Sequence, residues 1–150
     1  MIAIIGGTFE RFRPLVDLYR EAGARAGYDP AILQVGVHAM GFVADSDDEA
    51  RDIFFPGWAQ MIGKYASERG WSQPDRAQFD YMAGPDGAFL IGSPETVAAK
   101  MQHASEVLGG VSRIAFQMTS AAFETAAMLR SIELLGTEVA PVMRANNANA

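Results

Sequence analysis

Gly6-Gly7-Thr8 follows a short apolar run and precedes a helical stretch, an arrangement that can hold an anion. Glycine lets a phosphate approach the backbone closely, and free amides at a helix start favour negative charge. The same pair also makes a tight strand-to-helix turn with no ligand, and a lone Gly-Gly does not separate the two. His38 stands in the otherwise apolar run Val37-His38-Ala39-Met40. An imidazole there can hydrogen-bond a ligand or move a proton near neutral pH. It can equally be a buried histidine satisfied by a backbone carbonyl. Gln117 and Met118 close another apolar strand, where an amide can meet the polar edge of a bound molecule or cap a neighbouring loop.

Phe54, Phe55, Trp58, Met61 and Tyr65 recur at helical spacing and form a broad aromatic stripe. Such a stripe is usually core, although it could line an oily pocket with residues 71–89 as a lid, or face a second subunit. Core plus interface is the preferred reading. The acidic run from Asp45 to Asp52 lacks the glycine and ligand spacing of a calcium loop and reads as a solvated helix start. His38 and His103 lie far apart, so no transition-metal site is expected. Walker, Gly-x-Ser-x-Gly and Gly-x-Gly-x-x-Gly patterns are absent.

Three strand-then-helix units would position these groups. The first strand covers residues 2–5 and its helix runs from about residue 12 to 23, with Phe12, Leu15, Tyr19 and Ala22 on one face. Residues 8–13 read as a turn or first coil, because Pro14 is tolerable only near the helix start. The second strand covers residues 35–44. A helix then opens on Asp45-Ser46-Asp47-Asp48-Glu49, where acidic residues suit the positive end, and Pro56-Gly57 should kink its middle. Residues 71–87 carry Pro74, Gly84-Pro85 and Gly87 and read as an irregular excursion. Phe89-Leu90-Ile91 is a candidate short strand before a helix capped by Ser93, with Pro94 and Glu95 in its first turn. The third main strand spans residues 113–118. The last helix spans about 123–135, and residues 146–150 read as a frayed tail.

The 150-residue chain carries 49% apolar and 20% charged residues, which is the composition of one folded domain over residues 1–150 rather than of disorder. A net charge of −6 argues against nucleic acid or an anionic membrane as partner. Cysteine is absent, which removes disulfide and thiolate chemistry and suits a cytoplasmic setting. No apolar run is long enough to span a bilayer, and the residues after Met1 do not read as a signal peptide.

Taken together, Ala3-Ile4-Ile5-Gly6-Gly7, Phe12-Arg13-Pro14-Leu15-Val16-Asp17-Leu18-Tyr19, Gly41-Phe42-Val43-Ala44-Asp45, Gly92-Ser93-Pro94-Glu95-Thr96-Val97 and residues 132–141 resemble the bacterial luciferase-like monooxygenases. The resemblance covers nearly the whole chain but corresponds to only the second half of a typical member, so the first five of eight βα units would lie outside it. It implies an α/β fold, a partial (β/α)8 (TIM) barrel of about three parallel βα units. It further implies a flavin-dependent oxidoreductase using FMN or a deazaflavin on a small organic substrate. On that footing His38 is the candidate catalytic group, Gly6, Gly7, Thr8 and Gln117 the candidate cofactor-binding groups, and Met40 and Met118 the candidate substrate contacts. The alternative function is an inactive half-barrel that persists as a dimerising or ligand-binding module.

Oligomerisation is expected on physical grounds. Parallel sheets occur almost only with both faces buried, and these strands are apolar in near-continuous runs. Leaving ten strand side chains in water at roughly 1.5–3 kcal/mol each would exceed a domain's stability of about 5–15 kcal/mol. A two-fold homodimer that completes the half-barrel is the simplest remedy.

Overall fold

Ile4, His38 and Ala115 form one row across three parallel strands. The computed structural model describes residues 1–4, 6–118 and 124–148. Its strands are β1 (Ile2–Ile4), β2 (Gly36–Val43), β3 (Leu90–Gly92) and β4 (Arg113–Gln117). β2 lies between β1 and β4, and β3 pairs with the far end of β2 at Gly41, Phe42 and Val43. All pairings are parallel, as expected for a sector of a barrel. The short strand at residues 90–92 is real and adds a fourth strand–helix unit to the three main ones. Ile5, read as the end of the first strand, falls outside the described residues.

Alternation along β2 divides the interior into two clusters. Ala3, Val37, Ala39 and Val43 face helices α1 (Arg13–Arg25) and α4 (Pro94–Val107), packing with Val16, Val97, Ala104 and Leu108. Gly41 is on this face because Phe116 crosses it: a Cβ there would lie 2.1 Å from the ring. On the opposite face Phe42 and Met40 meet an aromatic cluster from α2 (Asp47–Arg69) and α3 (Arg76–Ala83). That roof covers only one end of the face. Ile2 and Ile4 remain 70% and 71% exposed.

Helix starts follow their sequence signals. Ser46 Oγ accepts from the Glu49 amide, and Ser93 Oγ accepts from the Thr96 amide. α2 ends at Gly70, whose φ of 65° is the left-handed cap glycine tolerates. Residues 10–12 form a single 3-10 turn, within the stretch read as a turn or first coil. Three expectations are corrected. The buried stripe of α1 is rotated: Val16 and Gly23 point inward and Leu15 is exposed. The excursion at residues 71–87 contains α3, capped by Asp75 Oδ1 accepting from the Gln78 amide at 2.7 Å. The last helix does not stop before Gly136. α5 (Thr125–Leu134) passes through a π-helical stretch, Leu135–Val139, into α6 (Ala140–Ala148), so Asn146 is helical and donates to Gln102. α2 runs through Pro56 as one element from Asp47 to Arg69.

Candidate functional site

The face of β2 that points away from α1 and α4 carries His38 and Met40, and β4 adds Gln117 beside Met40 in register. α2 crosses above them and contributes Trp58 and Ile62, and α3 contributes Gln78 and Met82. Between sheet and roof lies a cavity of about 490 Å³, whose wall also includes Gly6, Trp71 and Phe89. Its volume falls in the usual range for a small-molecule or cofactor site.

Trp58 and Phe89 are buried and fix the inner wall, while Trp71 is 56% exposed at the rim. The arginine Arg69 lies over the Trp71 ring at 5.0 Å, a cation–π contact that orients the indole. The side chains of His38, Gln78 and Gln117 make no hydrogen bond to any other described residue. Among the described residues, no backbone carbonyl accepts a hydrogen bond from the His38 side chain. The cavity thus offers apolar planar walls and the polar side chains of His38, Ser72, Gln78 and Gln117, none hydrogen-bonded to another described residue. Among the described lining residues none is a lysine, arginine or carboxylate. Such a lining can accept a flat, largely apolar ring with a polar edge, and it provides no cation for a phosphate.

Four of the candidate residues come together here: Gly6, His38, Met40 and Gln117. Three do not line the cavity. The Gly7 carbonyl accepts from the Ala88 amide at 3.1 Å, tying the turn to the start of β3. Thr8 hydrogen-bonds the Glu10 carboxylate, and Met118 packs against the aromatic cluster. Sequence reasoning did not single out Ile62, Gln78 or Met82. Of the aromatic stripe only Trp58 reaches the cavity: Phe54 is core, and Tyr65 is 45% exposed.

The acidic run turns out to be structural. Asp45 pairs with Arg130 at 2.6 Å, and this hydrogen bond holds its carboxyl below the usual range. Asp47 accepts from the Ser93 amide at 2.7 Å and from the Thr96 hydroxyl at 3.0 Å, joining the starts of α2 and α4. Burial pushes the Asp47 carboxyl up, but these bonds and the charge of Arg51 outweigh it and hold it low. No cluster of three or more potential metal ligands occurs among the described residues, and no described helix is long and apolar enough to cross a membrane.

The curated 3,6-diketocamphane 1,6-monooxygenase of Pseudomonas putida is 29% identical over 140 residues. A solved structure of the oxygenating constituent of that organism's 3,6-diketocamphane monooxygenase, in complex with FMN, superimposes with a TM-score of 0.67 and 26% identity over 95% of this chain. The monooxygenase RslO1 of Streptomyces bottropensis gives 0.70 at 23% identity over 93% of the chain. The coenzyme F420-dependent tetrahydromethanopterin reductase of Methanopyrus kandleri gives 0.57 at 16% over 93%, a likeness of fold. This chain spans only 36% of the curated relative and 42%, 40% and 44% of these three structures. The sequence model of the luciferase-like monooxygenases matches residues 1–111, and the chain belongs to that family.

Proposed function

We propose that this chain forms the flavin-ring and substrate wall of a flavin-dependent monooxygenase, with the cavity between β2 and the α2–α3 roof as the site. The carrying observation is the convergence of His38, Gln78 and Gln117, none of whose side chains hydrogen-bonds a described residue, on a largely apolar cavity of about 490 Å³. His38 and Gln117 supply hydrogen bonds to the polar edge of the ring or substrate. Met40, Trp58 and Phe89 supply the apolar wall and keep water from the reacting face. When bound, reduced FMN or deazaflavin supplies the redox chemistry, either with dioxygen on a small organic substrate or by hydride transfer. His38 can hold or move a proton beside it.

A second reading is a ligand-binding or dimerising module without turnover. The absence of a cation among the described lining residues favours it, because the phosphate of FMN gains nothing from these walls. Fluorescence titration separates the readings. Riboflavin and FMN should be quenched with affinities within about twofold of each other, and His38→Ala should weaken both by about five- to tenfold, the value of one lost hydrogen bond. No quenching at high micromolar flavin would discard the flavin site and leave the module.

We also propose that the chain works as a homodimer in the cytoplasm, with the open end of the sheet around Ile2 and Ile4 covered by a second copy. β1 and β4 each pair only with β2 among the described strands, so both outer edges are free. Light scattering at low micromolar concentration should give twice the monomer mass. A monomer there ends the dimer proposal without touching the flavin one.

A further inference from the structure

A second cavity, of about 450 Å³, is lined by residues of α2, the end of α3 with the turn after it, and α4, and shares no lining residue with the first. Its walls include Arg51, Lys100, Asp47, Asp86 and Pro85. Lys100 is buried at 4% exposure, and its ammonium donates to the Ala83 carbonyl at 3.1 Å and to the Gly84 carbonyl. Two of its three N–H bonds are thereby used and the third is left over. Arg51 is more unusual. Its Nε is buried, and its guanidinium makes no hydrogen bond or ion pair with any described residue.

A buried donor without an acceptor costs about 1–3 kcal/mol, more if charged, and native structures rarely leave one. The nearby carboxylates do not answer it. Asp47 already has both oxygens engaged by Ser93 and Thr96. Asp86 forms no ion pair with Arg51 or Lys100, and Glu10 is turned to His103 at 3.2 Å. Arg51 and Lys100 thus share the cavity with Asp47 and Asp86, whose charges act on them, but neither cation makes an ion pair with a described residue. Burial, and then the charge of Arg51, push the Lys100 amine down to about 8.

We infer that this cavity is a binding site for a small organic monocarboxylate, held by the Arg51 guanidinium fork and the spare N–H of Lys100. A guanidinium meets a carboxylate through two parallel hydrogen bonds, a geometry the unpaired Arg51 fork is free to make. Ala83, Pro85 and Ala99 give the wall an apolar part that suits a short aliphatic tail, beside Thr96 and His103. Asp47 and Asp86 on the same wall select against a second negative charge, so a dianionic phosphate is the poorer guest.

The test is calorimetric titration of the full chain, without flavin, using butyrate, butyramide and inorganic phosphate. Butyrate should bind in the millimolar range, butyramide at least tenfold more weakly, and phosphate more weakly than butyrate. Arg51→Gln should weaken butyrate at least tenfold. Arg51→Lys keeps the charge but loses the fork, and should also weaken it severalfold; it serves if the glutamine variant fails to fold. No butyrate heat up to tens of millimolar overturns the site. So does equal binding of butyramide, tighter binding of phosphate, or a butyrate affinity unchanged in both variants. Because flavin is absent and the cavities are separate, none of these results bears on the flavin proposal.

Discussion

Phe79→Ala should lower the unfolding free energy by about 3–5 kcal/mol, the usual cost of emptying a buried aromatic site. Phe79 is 0% exposed, and its ring lies 5.2 Å from Trp58, 5.4 Å from Phe55, 5.9 Å from Phe89 and 6.4 Å from Phe54. It is thus the hub on which two helices and the start of β3 meet. α3 has only eight residues, too few to be stable alone, and within it only Phe79 and Ala83 are buried. Removing the ring should release α3 from the sheet as well as leave a void. Because Gln78 and Met82 ride on α3, riboflavin affinity should fall together with stability. Urea unfolding of Phe79→Ala and Phe79→Leu provides the measurement. The leucine variant, which refills part of the space, should recover at least half of the loss. Equal losses for both, or a loss under 1 kcal/mol for alanine, would show that the aromatic roof does not hold the cavity together.

That hub shows why the site was only partly legible in the sequence. Residues on β2 and β4 could be read, because a strand's position and alternation follow from short apolar runs: His38, Met40 and Gln117 were singled out, and the structure brings them together with Gly6. The roof could not. Residues 71–87 look irregular because Pro74, Gly84, Pro85 and Gly87 dominate the local pattern, yet Asp75 followed three residues later by Gln78 is a helix-start signature. The helix it opens is stabilised by tertiary packing of Phe79, which no local period reports. The C-terminal error has a similar cause. Gly136 reads as the end of the last helix, but burial of Leu134 and Val139 carries the helix past it, with the π-helical stretch absorbing the mismatch. The second cavity left even less trace. Arg51 and Lys100 look like ordinary surface charges in sequence, and only the assembled fold of α2, α4 and the turn after α3 brings both into one cavity.

Lys100 also makes the stability of the fold depend on pH in an unusual direction. Burial, then the charge of Arg51, lower its amine from 10.5 to about 8, while Asp47 and Asp86 only partly restore it. Below pH 8 the amine is charged in both the folded and unfolded chains, and the full cost of burying that charge is present. Between pH 8 and about 10.5 the folded protein releases the proton while the unfolded chain keeps it. The unfolded state then binds more protons, so stability rises with pH through this window. From pH 7 to 9.5 the gain should be on the order of 2 kcal/mol. Lys100→Met isolates it, because the many other groups that titrate are common to both proteins and cancel in the difference. At pH 7 the variant loses the hydrogen bonds to the Ala83 and Gly84 carbonyls but also a buried charge, so its stability should stay within about 1 kcal/mol of the parent. At pH 9.5 the parent should exceed the variant by about 2 kcal/mol more than it does at pH 7. Urea unfolding at the two pH values measures this. Parallel curves would mean that Lys100 keeps its ordinary proton affinity in the folded chain, and so that burial and Arg51 do not weigh on it.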